Sequence, residues 1–575
     1  MVDLFRRAKL SKLKIFILLL FTTFQVLGTL YIPTLTADIL NYGVAQGNED
    51  EVLRIGQRML IVAIGTGIFS IMATYFSADI STLFAKKIRQ KLFDHTQKLS
   101  VQDFKHFKTS SLITRSTNDI EQMQSMLTMF FEMLVPLPFV VVIGMFLAYT
   151  RHPQMALIIL ITVLLFTMVI VLLSKKVIPL FKQVQVGLDK INDKVGQYIS
   201  GIRVIRAFNR TELEQGQMDN AFNDFAKLNI RINRLFAMMM PLIMLFLNFS
   251  TVSILWFGAH RINVGDMQIG DIAAVIEYAM NILFYSVMAV FALTLLPRAL
   301  ECSRRVKEVL DYKPEIYDGK STLAHSDSKL SLEFRNVSFC YADAENPVLH
   351  DLNFVCEAGK TTAIIGGTGS GKSTIAKLIP RLYEVQGGEI LLNNMNLNEL
   401  PQHEVREKMG FVPQKTFLFS GTIADNLRHG KKDATTEEMN NAVKVAQAEK
   451  FINDLEHGLE SNVAQGGRNF SGGQRQRLSI ARMLIKKPDI YVFDDSFSAL
   501  DFKTDANLRS ALKAETKNSI VIYVAQRIST IKDADQIIVL EEGRVVGKGT
   551  HRELLSSCDI YLQIAKSQLS EEELA

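Results

Sequence analysis

TTAIIGGTGSGKSTIAKL, residues 361–378, joins a β-branched apolar run, a glycine-rich loop and a helix-forming segment. The loop matches GxxxxGK[ST] and lies between a predicted strand and a predicted helix, the context in which that motif works. Its glycines let backbone N–H groups turn inward toward phosphate oxygens, and the start of the following helix adds a favourable dipole. Gly366, Gly367, Thr368, Gly369, Ser370 and Gly371 therefore read as a cradle for nucleotide phosphates, continued by Thr374 in the first helical turn. Lys372 is placed to reach the outer phosphates and Ser373 to ligate Mg2+. Around this stretch, β-rich runs (LSLEFRNVSF, TTAIIG, IVIYVA, QIIVLEEG) alternate with helical patterns. That alternation predicts an α/β domain with a mostly parallel core sheet.

Toward the N-terminus the composition changes. The 575-residue chain is 48% apolar, ordinary for a soluble protein, but the average conceals a greasy first half. Six stretches, 15–37, 59–78, 128–150, 153–174, 235–259 and 272–297, carry no charge except Glu132 and Glu277. Each is long enough to cross roughly 30 Å of hydrocarbon as a helix, and buried core helices seldom run so far without a charge. Basic residues set the orientation. Arg6, Arg7, Lys9, Lys12 and Lys14 precede the first stretch, and Lys86, Lys87, Arg89, Lys91, Lys98, Lys105, Lys108 and Arg115 fall between the second and third. Both segments are expected in the cytoplasm, while the acidic Glu49, Asp50 and Glu51 fit outside. An even number of spans puts both termini and the nucleotide-binding half in the cytoplasm. The first apolar run is too long for the h-region of a cleavable signal, and no small-residue cleavage site follows it.

Four cysteines, Cys302, Cys340, Cys356 and Cys558, fall in or near the cytoplasmic part, so no disulfides are expected. The net charge of +5 is mild and unclustered on the soluble half, which argues against nucleic acid as a partner. Residues 79–125 contain neither proline nor glycine. They predict two helical arms of about 20 residues, reaching roughly 30 Å into the cytoplasm and meeting in a short turn near Lys108. Residues 175–234 have the same plan, with GIRVIRAFNRTELEQ near the tip. The expected organisation is a transmembrane domain over 1–310, a polar linker over 311–330 and a nucleotide-binding domain over 331–570.

A second motif narrows the reading. FSGGQRQRLSIARML at 470–484 precedes the strand IYVFDD at 490–495 and SALD at 498–501, with Tyr341 in VSFCY, Gln414 in FVPQ and the FLFSGTIADNL run from 417. Here the chain closely resembles the ATP-binding-cassette exporters, over nearly its whole length. The resemblance implies a dimer of half-transporters with two ATP molecules sandwiched head to tail, the phosphate loop of one chain facing the signature of the other. It implies that Tyr341 stacks on adenine, that Gln414 senses the metal and γ-phosphate, and that Asp494 holds magnesium together with Ser373 and Gln414. Ser471, Gly472, Gly473 and Gln474 would touch the ATP bound by the partner. The tips near 108–115 and 210–215 resemble the coupling helices that press on the cassettes.

Three positions depart from the family pattern. Asp495 stands where these ATPases usually carry glutamate, and Gln526 stands where a histidine normally contacts the terminal phosphate. Asp495 keeps the charge of a catalytic carboxylate but is one methylene shorter, and an error of about 1 Å in such a group costs on the order of a hundredfold. Gln526 can donate a hydrogen bond but cannot carry a proton or positive charge. Gln465, where many relatives have glutamate, is a third departure. With phosphate grip and signature intact, the pattern resembles the degenerate-site subunit of bacterial heterodimeric multidrug exporters, and a plasma-membrane heterodimer is expected. Glu132 and Glu277 are candidate substrate contacts, since a carboxylate within the membrane is costly; either is also compatible with a structural role near an interface. The methionine-rich FAMMMP run at 236–241 is adaptable surface or plain packing. Hydrophobic or cationic small molecules fit as cargo. A lipid or peptide exporter, an importer on the exporter fold, and an ATP-binding regulator without transport remain alternatives.

Overall fold

The computed structural model describes residues 1–322 and 329–570, apart from some side chains between 174 and 240. Those side chains include Phe236, Met239 and Met240 of the FAMMMP run, so that reading lies largely outside the described residues. The chain divides into two compact units: Met1–Gln97 with Ser110–Tyr312, and Lys98–Thr109 with Lys313–Ala575.

Among the described residues, six helical segments are long and apolar enough to cross a membrane: Lys12–Val44, Glu49–Thr96, Thr109–Arg151, Pro153–Leu173, Pro241–Val264 and Ile269–Asp311; the fourth and fifth belong to the longer helices Pro153–Ala207 and Thr211–Val264. A helix of 48 residues such as Glu49–Thr96 is about 70 Å long at 1.5 Å per residue, so it spans the hydrocarbon and continues as an arm. Helix ends follow local chemistry. Asn48 caps the second helix by accepting from the Glu51 backbone N–H, and Glu49, Asp50 and Glu51 occupy its first turn, where the helix dipole favours acids. Gly265, left-handed at φ +84°, ends the fifth.

At one end of these helices, a polar clasp ties the first, third and sixth. Arg151 donates to Asp271 at 2.9 Å and to Asp38 at 3.3 Å. Asn41 donates to Asp271 at 3.4 Å and accepts from the Gly270 backbone at 2.7 Å. A Cβ at Gly270 would lie 2.3 Å from the Ala37 carbonyl, so only glycine allows this approach.

In the second unit, a six-stranded sheet has the order Arg544–Gly549, Gln536–Glu541, Thr361–Gly366, Ile520–Val524, Ile490–Asp494, Met409–Val412. Every pairing is parallel except the one to the Arg544–Gly549 edge. Helices cover one face, and helix Lys372–Leu378 together with a separate antiparallel sheet covers the other, so the central strands read as continuous apolar runs. Phe493, Tyr523 and Ala363 enter one core, and Ile364, Val492 and Ile522 enter the other. LSLEFRNVSF does not join the parallel sheet. Ser331–Phe339 instead pairs antiparallel with Leu349–Glu357 and Gly387–Leu392 in a separate sheet; its pattern alternates buried and less buried positions, as a one-face strand does.

Two boundaries differ from expectation. The stretch after Asp311 is not a free linker up to Ser321: Arg381 donates to the Tyr317 carbonyl at 2.7 Å, Gln402 N–H to Asp318 at 2.9 Å, and Ser321 N–H to the Glu399 carbonyl at 3.0 Å. Residues 323–328 of that stretch lie outside the described residues. Between the second and third spanning helices the tip is a separate helix, Val101–Phe107, ended by Lys108 at φ +60°, and it belongs to the second unit. The tip of the other long loop is only a break at Asn209, φ +54°, between Ala207 and Thr211.

Candidate nucleotide site

Strand Thr361–Gly366 delivers the glycine loop at its C-terminal end, and helix Lys372–Leu378 leaves it. Gly369 at φ +85° and Gly371 at φ +95° take backbone angles closed to most side chains. Lys372 lies along the loop, donating to the carbonyls of Gly366 at 2.8 Å and Gly367 at 2.6 Å. Burial pulls its pKa below the ordinary lysine value, while Asp495 and Asp494 oppose the shift. Ser373 donates to the Asp494 carboxylate at 2.7 Å. This hydroxyl–carboxylate pair at the foot of a phosphate loop is a donor set that fits Mg2+.

Asp494 ends strand Ile490–Asp494 and is 2% exposed. Burial raises its pKa against the Ser373 hydrogen bond. Asp495 follows at φ +49°, held by its N–H donating to the Val524 carbonyl at 2.8 Å. One oxygen of Asp495 accepts from Gln414 at 3.0 Å and from Gln526 at 3.2 Å. Burial raises its pKa too, Gln414 opposes, and Asp494 adds to the rise. Gln414, Asp494, Asp495 and Gln526 thus converge with Lys372 and Ser373 on one cluster. Tyr341 joins its edge, its hydroxyl 3.1 Å from that of Thr374. Among the remaining loop residues, Gly367 and Gly369 have open space where a Cβ would stand.

The signature residues form a separate group. Ser471 caps helix Gly472–Lys486: its hydroxyl accepts from the Gln474 N–H at 3.3 Å, and the Gln474 side chain accepts from the Ser471 N–H at 2.8 Å. Ser471 and Gly472 are exposed, and Gly473 packs over Ala499. Glu132 lies half-buried in a π-helical turn, Phe130–Leu134. Glu277 is on an exposed face of the sixth spanning helix. Sequence reasoning missed Lys105, whose ammonium stands 5.1 Å from the Tyr341 ring centre. The signal was present: Ser100 and Asp103 make a capping box that announces the short helix carrying it.

A membrane-spanning helical unit followed by a phosphate-loop ATPase with a signature helix defines a nucleotide-driven membrane transporter. Residues 15–287 match the family model of the ABC transporter transmembrane region, and residues 349–498 match the ABC transporter family model. An uncharacterized ABC transporter ATP-binding protein of Mycobacterium tuberculosis is 37% identical over 95% of this chain and 94% of its own length. Another from Bacillus subtilis is 34% identical, with 94% of each chain covered. The fold superimposes on a bacterial Atm1-family ABC exporter solved with ATP bound, at TM-score 0.81 and 22% identity, covering 97% of this chain and 98% of that one. The chain belongs to the ABC transporter family. It is a multi-pass membrane protein with a C-terminal ABC ATPase domain, which binds ATP with Mg2+ and couples its hydrolysis to transport.

Proposed function

We propose that this chain is one half of a heterodimeric exporter, moving hydrophobic or cationic molecules outward across the bacterial plasma membrane, with its cassette in the cytoplasm. Its own phosphate loop holds Mg2+-ATP in a slowly hydrolysing site, and its signature completes a competent site on the partner. In this mechanism Tyr341 stacks on adenine, the loop N–H groups and Lys372 hold the phosphates, and Ser373, Asp494 and Gln414 hold the metal. Ser471 to Gln474 reach across to the ATP of the partner subunit, which fits their exposure at the start of a helix. The domain limits proposed are 1–310 for transport and 331–570 for nucleotide binding, with 311–330 between.

The observation that carries the slow-site reading is the geometry at Asp495. A base must reach the attacking water, and this carboxylate is one methylene short of the usual glutamate, with one of its two oxygens tethered by two carboxamides at 3.0 and 3.2 Å, so the remaining oxygen alone has to serve across the longer gap. Gln526 there orients Asp495 and offers no positive charge to the transition state. A dimer is supported by the loop between the fourth and fifth spans, where Val186 (67%), Val204 (61%) and Phe208 (73%) are exposed beyond the bilayer. Apolar surface of this kind marks an interface. Glu277 shares its exposed helix face with Met280 and Phe284, a mixture suited to a hydrophobic cation. The test is transport by proteoliposomes carrying both chains: accumulation of a cationic dye, reduced by Glu277→Gln with a neutral substrate unaffected, supports the reading. Movement of labelled lipid alone favours a lipid exporter, and no vectorial movement of either favours a regulator.

A further inference from the structure

The tip helix Val101–Phe107 carries one basic side chain into the aromatic wall of the nucleotide site. Lys105 Nζ lies 5.1 Å from the centre of the Tyr341 ring and 5.9 Å from that of Tyr383. The two rings stand edge to face, 5.3 Å between centres at 89°, and Tyr383 is only 6% exposed, so the aromatic pair is a fixed feature of the domain. The helix is fixed as well. Ser100 and Asp103 cap it reciprocally, Asp103 is 1% exposed, and its carboxylate also accepts from the Glu315 N–H at 3.3 Å. The opposite end of Tyr341 is held through its hydroxyl, 3.1 Å from that of Thr374 in the phosphate-loop helix.

An ammonium within about 6 Å of a ring is drawn to its π-face, and a ring so held has little freedom to tilt. We propose that Lys105 is a positioning residue of the nucleotide site. It orients the Tyr341 ring for stacking on the purine, so that the base, rather than the phosphates, is what the segment between the second and third spans registers. This rests on the reading of Tyr341 as the adenine contact.

The experiment is nucleotide binding to the full-length protein in nanodiscs with Mg2+, comparing ATP with inorganic tripolyphosphate, which keeps the phosphate contacts and has no base. Lys105→Met is expected to weaken ATP about 5–10-fold, the size of one cation–π contact, and to leave tripolyphosphate unchanged. Lys105→Arg, which keeps the charge over the ring, restores ATP binding. Tyr341→Leu removes the same increment, and adding Lys105→Met to it costs nothing more. Equal loss of ATP and tripolyphosphate in Lys105→Met, or unaltered ATP binding, overturns the proposal. If Tyr341→Leu itself leaves ATP binding unchanged, it is the reading of Tyr341 that fails.

Discussion

Asp494 and Asp495 are neighbours in the chain, yet their surroundings separate them. Asp494 ends a buried strand and pairs with Ser373; Asp495 turns into the left-handed region and meets two glutamine amides. Burial raises both carboxyl pKa values above the ordinary range. A raised folded-state pKa contributes stability that is complete below the unfolded value and lost as pH rises through the folded one. At neutral pH the ionised pair therefore carries a cost, which a bound Mg2+ would relieve on the proposed metal-site reading. Asp494→Asn keeps an acceptor for Ser373, so it is expected to raise the Tm of nucleotide-free protein, by about 2–4 °C per kcal/mol recovered, and to flatten its decline from acidic to neutral pH. The same variant loses the Tm gain that Mg2+-ATP gives the parent; an unchanged gain would remove Asp494 from the metal site. At Asp495, restoring a methylene and an ionisable partner together, Asp495→Glu with Gln526→His, is expected to raise hydrolysis at this site about 10–100-fold. No rise in phosphate release under single-site conditions would place the limit elsewhere.

Elements test packing rather than chemistry. The clasp around Gly270 brings the sixth helix against the Ala37 carbonyl of the first, with 2.3 Å available for any added Cβ. Gly270→Val must push the helices apart and is expected to cost about 1–3 kcal/mol, seen as a lower Tm for the full-length protein in detergent; a parental Tm would show that the approach is not tight. Elements differ in how legible they were. The spans could be read because charge is excluded from hydrocarbon over lengths no other element needs. The parallel strands could be read because burial on both faces leaves unbroken apolar runs such as IVIYV. LSLEFRNVSF looked equivalent but has one buried face, and only its partners reveal the antiparallel sheet. The Val101–Phe107 helix was missed because the absence of proline and glycine signals helix without showing where one helix stops, and the stop is a single positive-φ lysine, Lys108. At the site, the phosphate loop was legible as a local motif. The meeting of Gln414, Asp495 and Gln526, 81 and 31 residues apart along the chain, depends on strand order that periodicity does not encode.

At the scale of the whole molecule, the proposed topology rests on the basic-residue bias of the loops. In a background without the native cysteines, Gln46→Cys between the first two spans is expected to react with an impermeant maleimide on intact cells, and Glu212→Cys only after permeabilisation. The reverse pattern would invert the topology and move the cassette outside. The exposed apolar surface of the loop between the fourth and fifth spans and the exposed signature at Ser471 both call for a second subunit. On the proposed slow-site reading that subunit differs from this one, since a homodimer would repeat the defect in both composite sites. The most direct measurement is steady-state ATP hydrolysis by the purified chain alone in nanodiscs, at Mg2+-ATP concentrations that saturate its own site, beside the same chain reconstituted with its partner. The account predicts turnover close to background for the chain alone despite full nucleotide occupancy, and strong turnover for the pair that is lost on Ser471→Arg in this chain. Rapid hydrolysis by the chain alone would contradict it.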